Sequence, residues 1–273
     1  MPRTQVNNLI VDYTETGIGV PIIFIPGITE FKEAFTFQIM GLQDKYRVIS
    51  YDIRRGLKRS GDYTLELLVE DLRKFMKAIG IDSAVICGHS FGGLIAMQFA
   101  IQYPEETKAL ILISAFPVAG EESAERFSGW ISSAGHPLHT SLGAKFKLHM
   151  ARLFGKNRPH AVNMEHQVAA VKAVAHQAEK VPGITINQRQ RVMKKADFRN
   201  SLSEIVAPTL VIAGANDRAF FLSSAQQLYQ GMPDASLEVI EGGGHFCFLT
   251  RHDQFNLAVD DFLMDRLANP HYS

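Results

Sequence analysis

The first third of the chain alternates short apolar runs with longer amphipathic ones. Val6 to Tyr13 reads as a pair of strands, Pro21 to Ile25 as a buried strand and Arg47 to Tyr51 as another. Leu65, Leu68, Leu72, Phe75, Met76 and Ile79 recur at helical spacing within Thr64 to Ile79, and Gly80 stands where a helix stops. Ala84 to Cys87 predicts a strand that runs straight into Gly88-His89-Ser90-Phe91-Gly92, with a helix from about Phe91 to Tyr103 that Pro104 ends. Ala109 to Ile113 is the next buried strand. Strands apolar on both faces and alternating with helices predict a mostly parallel sheet flanked by helices.

That rhythm breaks after Pro117. From there to about residue 200 no run reads as a convincing strand, but Leu142, Phe146, Met150 and Leu153 form one helical stripe. Val168, Val171, Ala175 and Ala178 form another, stopped by Val181-Pro182-Gly183. The α/β alternation then resumes, with a strand over Thr209 to Ala213, a helix over Ser223 to Tyr229, a strand over Ser236 to Ile240 and a closing helix over Asp253 to Leu267. Neither an internal repeat nor a low-complexity tract is present. The expected organisation is a core formed by 1–116 and 201–273, with a helical cap, 117–200, inserted into it.

Composition narrows the class. A chain of 273 residues is long enough to bury a large single core. Its 28 Lys and Arg balance 28 Asp and Glu, which speaks against disorder and against nucleic acid as a partner. The longest apolar stretch, Ala109 to Gly120, is broken by Ser114 and Pro117 and falls short of the ~20 residues that span a bilayer. MPRTQVNNLI has no apolar core of the signal-peptide kind, and Cys87 and Cys247 make neither a disulfide scaffold nor a zinc-site pattern. A soluble, cytoplasmic protein without metal is expected, and both cysteines read as small core residues.

The neutral total conceals an uneven distribution. Residues 117–200 carry 13 Lys and Arg against 6 Asp and Glu, while the remainder carries 15 against 22. Either the positive side chains line solvated helix faces, or a positive cap attracts an anionic substrate. A second basic run, Arg54 to Arg59, reads as a solvated loop or an anion contact.

The sharpest chemical signal is the G-x-S-x-G at Gly88 to Gly92, because it falls where a strand passes directly into a helix. A serine on such a turn holds its hydroxyl outward, and the flanking glycines leave room for the crossing. Serine needs a base to take its proton, and the base needs a third group to orient it. His245, in Glu241-Gly242-Gly243-Gly244-His245, follows the last strand, and Asp217, in Gly214-Ala215-Asn216-Asp217, follows the strand before it. Glu241 and Asp253 also flank the histidine loop and compete with Asp217 for the third role. His89 reads as a packing residue of the turn.

With the serine turn, the G-x-x-D turn and the G-x-G-H loop in that chain order, the sequence resembles the α/β-hydrolase family over nearly its whole length. The resemblance implies an eight-stranded-type sheet with the cap between strands six and seven, a Ser90-His245-Asp217 triad, and no cofactor. A serine at the turn implies the esterase-like branch rather than those that use aspartate there. It also implies that the backbone N–H groups of Phe91 and Ile28 form the oxyanion hole. Here Pro26-Gly27 stands where the family usually has His-Gly, which puts the shape of that loop in question. Phe116, Phe127, Trp130, Phe146 and Phe154 are candidates for lining the substrate pocket.

The activity so implied is hydrolysis of a small carboxylic ester, thioester or lactone through an acyl-serine. Relatives with the same triad and cap placement cleave carbon–carbon bonds of ring-cleavage products, and cofactor-free perhydrolysis is a third activity. A non-enzymatic receptor that keeps the fold and binds a small molecule under the cap is the alternative from another class.

Overall fold

The computed structural model of the protein describes residues 2–6, 9–58, 62–119 and 181–267. Eight strands form one sheet in the order β1-β2-β4-β3-β5-β6-β7-β8. They are β1 (Arg3–Val6), β2 (Leu9–Thr16), β3 (Val20–Ile25), β4 (Tyr46–Tyr51), β5 (Ala84–His89), β6 (Thr107–Ile113), β7 (Thr209–Gly214) and β8 (Ala235–Ile240). β1 and β2 pair antiparallel, as do β2 and β4, and every other pairing is parallel.

The apolar runs of β3, β5, β6 and β7 become the sheet centre because both of their faces are covered. Successive residues of β6 alternate between two cores, Leu110 and Leu112 on one side and Ala109, Ile111 and Ile113 on the other. The first core is closed by the helices α2 (Leu65–Ala78), α3 (Phe91–Gln102) and α5 (Ala219–Gly231), and by Val192 and Met193 of α4 (Gly183–Lys195). The second is closed by α1 (Thr36–Leu42), the single turn α6 (Cys247–Thr250) and α7 (His252–Leu267). Cys87 and Cys247 are both fully buried in this second core.

Local signals set the helix limits. Thr64 Oγ1 accepts the Leu67 N–H at 3.2 Å at the start of α2. At its end Gly80, with φ +72°, donates to the Lys77 carbonyl while Ile81 N–H reaches Met76, so a Schellman cap stops the helix. α4 and α1 were not evident from apolar spacing. In α4 the buried face is Thr185, Gln188, Arg189, Val192 and Met193, which is polar over its first turns.

The two ends of the sequence are stitched together on the second face. Gln38 Nε2 of α1 donates to the Phe248 carbonyl at 2.7 Å, Asn256 Nδ2 of α7 to the Phe37 carbonyl at 3.1 Å, and the Tyr46 hydroxyl to Asp260 at 2.9 Å.

Chain direction across the sheet reverses around β3, which lies between β4 and β5, with Ile25 opposite Gly88. Ligands in open parallel sheets bind beyond the carboxyl ends of the strands at such a switch point. The loop after β3 and the turn after β5 therefore meet at one crevice. Of the segment between β6 and β7, the stripes through Leu142 and Val168 lie outside the described residues. Its start and finish meet at a bridge between Val118 and Asp197. No helix among the described residues is long and apolar enough to cross a membrane.

Candidate active site

Ser90 occupies the junction of β5 and α3 with φ +51° and ψ −111°. A serine held at positive φ costs about 1–3 kcal/mol, and the surroundings enforce it. Its N–H donates to the Ile113 carbonyl at 2.9 Å and its carbonyl accepts from Gly93 at 3.0 Å. A Cβ on Gly88 would stand 2.4 Å from the Gly92 carbonyl oxygen, and one on Gly92 2.3 Å from that of Ile25. Both contacts are with backbone, so neither glycine tolerates a side chain. Phe91 opens α3, where its N–H has no acceptor within the helix.

Asp217 and His245 meet across the ends of β7 and β8, with His245 Nδ1 3.1 Å from Asp217 Oδ2. The same oxygen accepts the Ser114 hydroxyl at 2.9 Å, and Asp217 Oδ1 accepts the Arg218 N–H at 2.7 Å. Burial by itself raises the Asp217 carboxyl, but the charge and hydrogen bond of His245, together with the Arg218 and Ser114 donors, hold it below the ordinary carboxylate value. Burial lowers the His245 imidazole by more than the neighbouring carboxylate restores. The imidazole is thereby kept neutral, the form that accepts a proton. Of the competing acids, Asp253 lies 2.9 Å from His252 instead, and Glu241 is exposed.

The loop after β3, which carries Pro26-Gly27, is braced by a buried carboxylate. Glu30 is buried and its Oε2 accepts the Gly27 N–H at 2.8 Å. The same carboxylate meets His89 Nδ1 at 3.0 Å, and His89 Nε2 lies 3.0 Å from the His245 carbonyl oxygen. His89 is therefore not merely a packing residue. Its two ring nitrogens face oxygens of Glu30 and of the His245 backbone, so the ring bridges the two loops. Burial works to raise the Glu30 carboxyl, and it is outweighed by His89 and the Gly27 donor, so Glu30 stays ionised. No acceptor among the described residues takes the Ile28 N–H.

Apolar walls complete the surroundings. The Phe221 ring lies 4.2 Å from that of His245. Phe116 is buried and packs 5.7 Å from Phe220 and 6.1 Å from Phe221, one ring removed from the histidine. Phe127, Trp130, Phe146 and Phe154 lie outside the described residues. In the basic run after β4, Arg54 is paired with Asp71, with Nη2 to Oδ1 at 2.7 Å, and Arg55 lies over the Phe31 ring. Arg59 lies outside the described residues.

Glu30, Ser114 and the bridging role of His89 were not evident from the sequence. The one available signal was Pro26-Gly27, whose departure from the usual pattern put the shape of that loop in question.

A model of the family described as alpha/beta hydrolase fold matches residues 20–252. The chain belongs to this α/β-hydrolase family. It is 26% identical over 259 residues to "Putative carbamate hydrolase RutD" of Klebsiella pneumoniae strain 342, covering 90% of this chain and 92% of that protein. Among solved structures, the enol-lactonase of Burkholderia xenovorans LB400 superposes with a TM-score of 0.79 at 22% identity, covering 96% of this chain and all of that one. A meta-cleavage product hydrolase of Pseudomonas fluorescens IP01 gives 0.77 at 21% identity, with 98% of each chain covered. The α/β-hydrolase family and the names of these relatives support hydrolase activity.

Proposed function

We propose that the chain is a serine hydrolase of small acyl substrates, with Ser90 as nucleophile, His245 as base and Asp217 as the group that orients it. The observation that carries this reading is the convergence of three strand ends. A strained, glycine-flanked serine follows β5, and a buried Asp217–His245 pair bridges the loops after β7 and β8.

In the first half of the reaction Ser90 Oγ attacks the carbonyl carbon while its proton passes to His245. The carbonyl oxygen gains the negative charge and is held by the N–H groups of Ile28 and Phe91. Collapse breaks the bond to the leaving oxygen or sulfur, which takes the proton from His245. In the second half water attacks the acyl-serine with His245 again as base, and the acid leaves. Asp217 keeps hydrogen on Nδ1, so that the other ring nitrogen of His245 is free to accept.

The substrate is a carboxylic ester, thioester or lactone, and the RutD relatives add carbamates to the set to be tried. p-Nitrophenyl acetate turnover is the direct test. A wild type no faster than a folded Ser90→Ala variant overturns the proposal. A panel of lactones, carbamates, dienone ring-cleavage products and peracid formation then assigns the bond cleaved. Tight ligand binding with turnover below about one per minute, against ~10 per second for a typical enzyme, is the outcome expected of a receptor instead.

A further inference from the structure

Arg189, on α4, is only 3% exposed, and no carboxylate among the described residues lies within ion-pair reach of it. Burying a guanidinium away from a carboxylate is costly unless its N–H groups find other acceptors. Three of its bonds go to backbone carbonyls and one to a hydroxyl. Nη1 donates to the Ile28 carbonyl at 2.7 Å, Nη2 to those of Ile53 at 3.3 Å and Arg54 at 3.4 Å, and Nε to the Tyr63 hydroxyl at 3.3 Å. The guanidinium carbon also stands 5.9 Å from the Phe91 ring centroid. Its shortest bond is thus to the residue whose N–H is the candidate oxyanion donor, and its π contact is with the residue that supplies the other.

Resting on the serine-hydrolase reading above, we propose that Arg189 is a positioning residue that reaches from α4 to the Ile28 carbonyl and thereby aims the Ile28 N–H at the developing oxyanion.

The geometry of the loop gives the reason. A peptide unit is planar and trans, so its N–H and C=O point in opposite directions. The unit carrying the Ile28 N–H has its other end, the Gly27 carbonyl, accepting from Glu30 N–H at 3.3 Å. The unit before it is fixed by the Gly27 N–H on Glu30 Oε2, and the unit after it by Arg189 on the Ile28 carbonyl. With both neighbours held, the middle unit has no freedom to rotate its N–H away. Two buried groups of opposite charge hold the loop, Glu30 from within it and Arg189 from α4.

α4 is itself seated by side chains on the same face. Thr185 Oγ1 accepts the Gly56 N–H at 2.9 Å, and Gln188 exchanges bonds with the Leu57 N–H at 2.9 Å and its carbonyl at 2.7 Å. These residues sit at i, i+3 and i+4 with Arg189, so helix seating and donor alignment are one arrangement. The bonds of Thr185 and Gln188 described here go to residues after β4. The bond of Arg189 to Ile28 extends to the loop after β3.

The test compares wild type, Arg189→Met and Arg189→Lys with p-nitrophenyl acetate, each rate divided by the number of sites titrated with a fluorophosphonate. Arg189→Met keeps the length and loses the donors. Its kcat per titrated site is expected to fall about tenfold to a hundredfold, with KM within about threefold, as for a small misplacement of a reacting group. Arg189→Lys, which reaches one acceptor, is expected to fall between the two. A kcat per site within about twofold of wild type for Arg189→Met overturns the inference. So does a loss confined to KM or to the count of titrated sites, which is what mere structural support predicts. Should Arg189→Met not fold, Arg189→Lys decides: a reduced kcat at unchanged KM supports the inference and a wild-type kcat overturns it. A wild type that neither turns over the ester nor takes the phosphonate at Ser90 overturns the hydrolase reading and this inference with it. An active, Ser90-labelled wild type with an unaffected variant overturns this inference alone.

Discussion

His89 Nε2 lies 3.0 Å from the backbone carbonyl oxygen of His245. The neighbour of the candidate nucleophile therefore holds the loop of the candidate base. Through its other nitrogen it also holds Glu30, which in turn holds Gly27. Replacing His89 with leucine leaves the buried Glu30 carboxylate with the Gly27 N–H but without its imidazole partner. Breaking a buried pair from one side costs about 3–5 kcal/mol, and urea unfolding of His89→Leu is expected to show a loss of that size. A loss under about 1 kcal/mol would show that the bridge bears little of the load.

The pH profile follows from His245. Only the neutral imidazole accepts the serine proton, and burial places its proton loss below the ordinary value of 6.5. At any given pH more of the base is then neutral than an exposed histidine would provide. kcat/KM is expected to rise with pH through an inflection below 6.5 and to level off above it. Asp217→Asn should lower kcat about 10⁴-fold by allowing the wrong tautomer. An acid limb above 6.5 would contradict the assignment of the base.

Ser114 offers a paired comparison. Its hydroxyl donates to the Asp217 oxygen that faces His245, and its backbone has φ +43°. Ser114→Ala loses a hydrogen bond to a charged group, worth about 1.5–3 kcal/mol, and keeps the unfavourable backbone. Ser114→Gly loses the same bond but adopts positive φ freely, so it should be about 1–2 kcal/mol more stable than the alanine variant. Both should reduce kcat alike. Thermal unfolding and ester turnover of the two variants check this, and unequal kcat values would mean the hydroxyl is not the operative group.

Gly27 tests the brace directly. A Cβ there would stand 2.5 Å from Glu30 Oε1 and 3.1 Å from His89 Nδ1. Gly27→Ala must push the carboxylate aside and loosen the loop that carries Ile28. Its kcat is expected to fall about tenfold to a hundredfold with Ser90 still phosphonylated slowly. Wild-type turnover would show that the Glu30 contact does not set the donor.

What could be read from the sequence depended on how local the cause was. β3, β5, β6 and β7 are continuous apolar runs because both faces are covered, and α2 carries its stripe, its Thr64 cap and its Gly80 stop within one segment. The strand-to-helix serine and the two loop-end partners follow from the same local logic. α4 was missed because the face it buries begins with Thr185, Gln188 and Arg189, whose partners are backbone groups of another segment. α1 was missed because its seven residues bury only Gln38 and Leu42. Glu30 and Ser114 acquire their roles only when distant strand ends are brought together, and no spacing along the chain encodes that meeting. Pro26-Gly27 put the shape of that loop in question without pointing to Glu30.

The stitching of α1 to the C-terminal segment bears on biosynthesis. Translation delivers Ser90 long before Asp217 and His245, and the turn after His245 is anchored by Gln38 on the Phe248 carbonyl. A nascent chain that has emerged only through β6 holds its first strands and its serine, but it lacks the later segment that clasps them. Contacts this distant along the chain form slowly and late. A chain stopped before α7 is therefore a fragment whose second core is open to water and prone to aggregate.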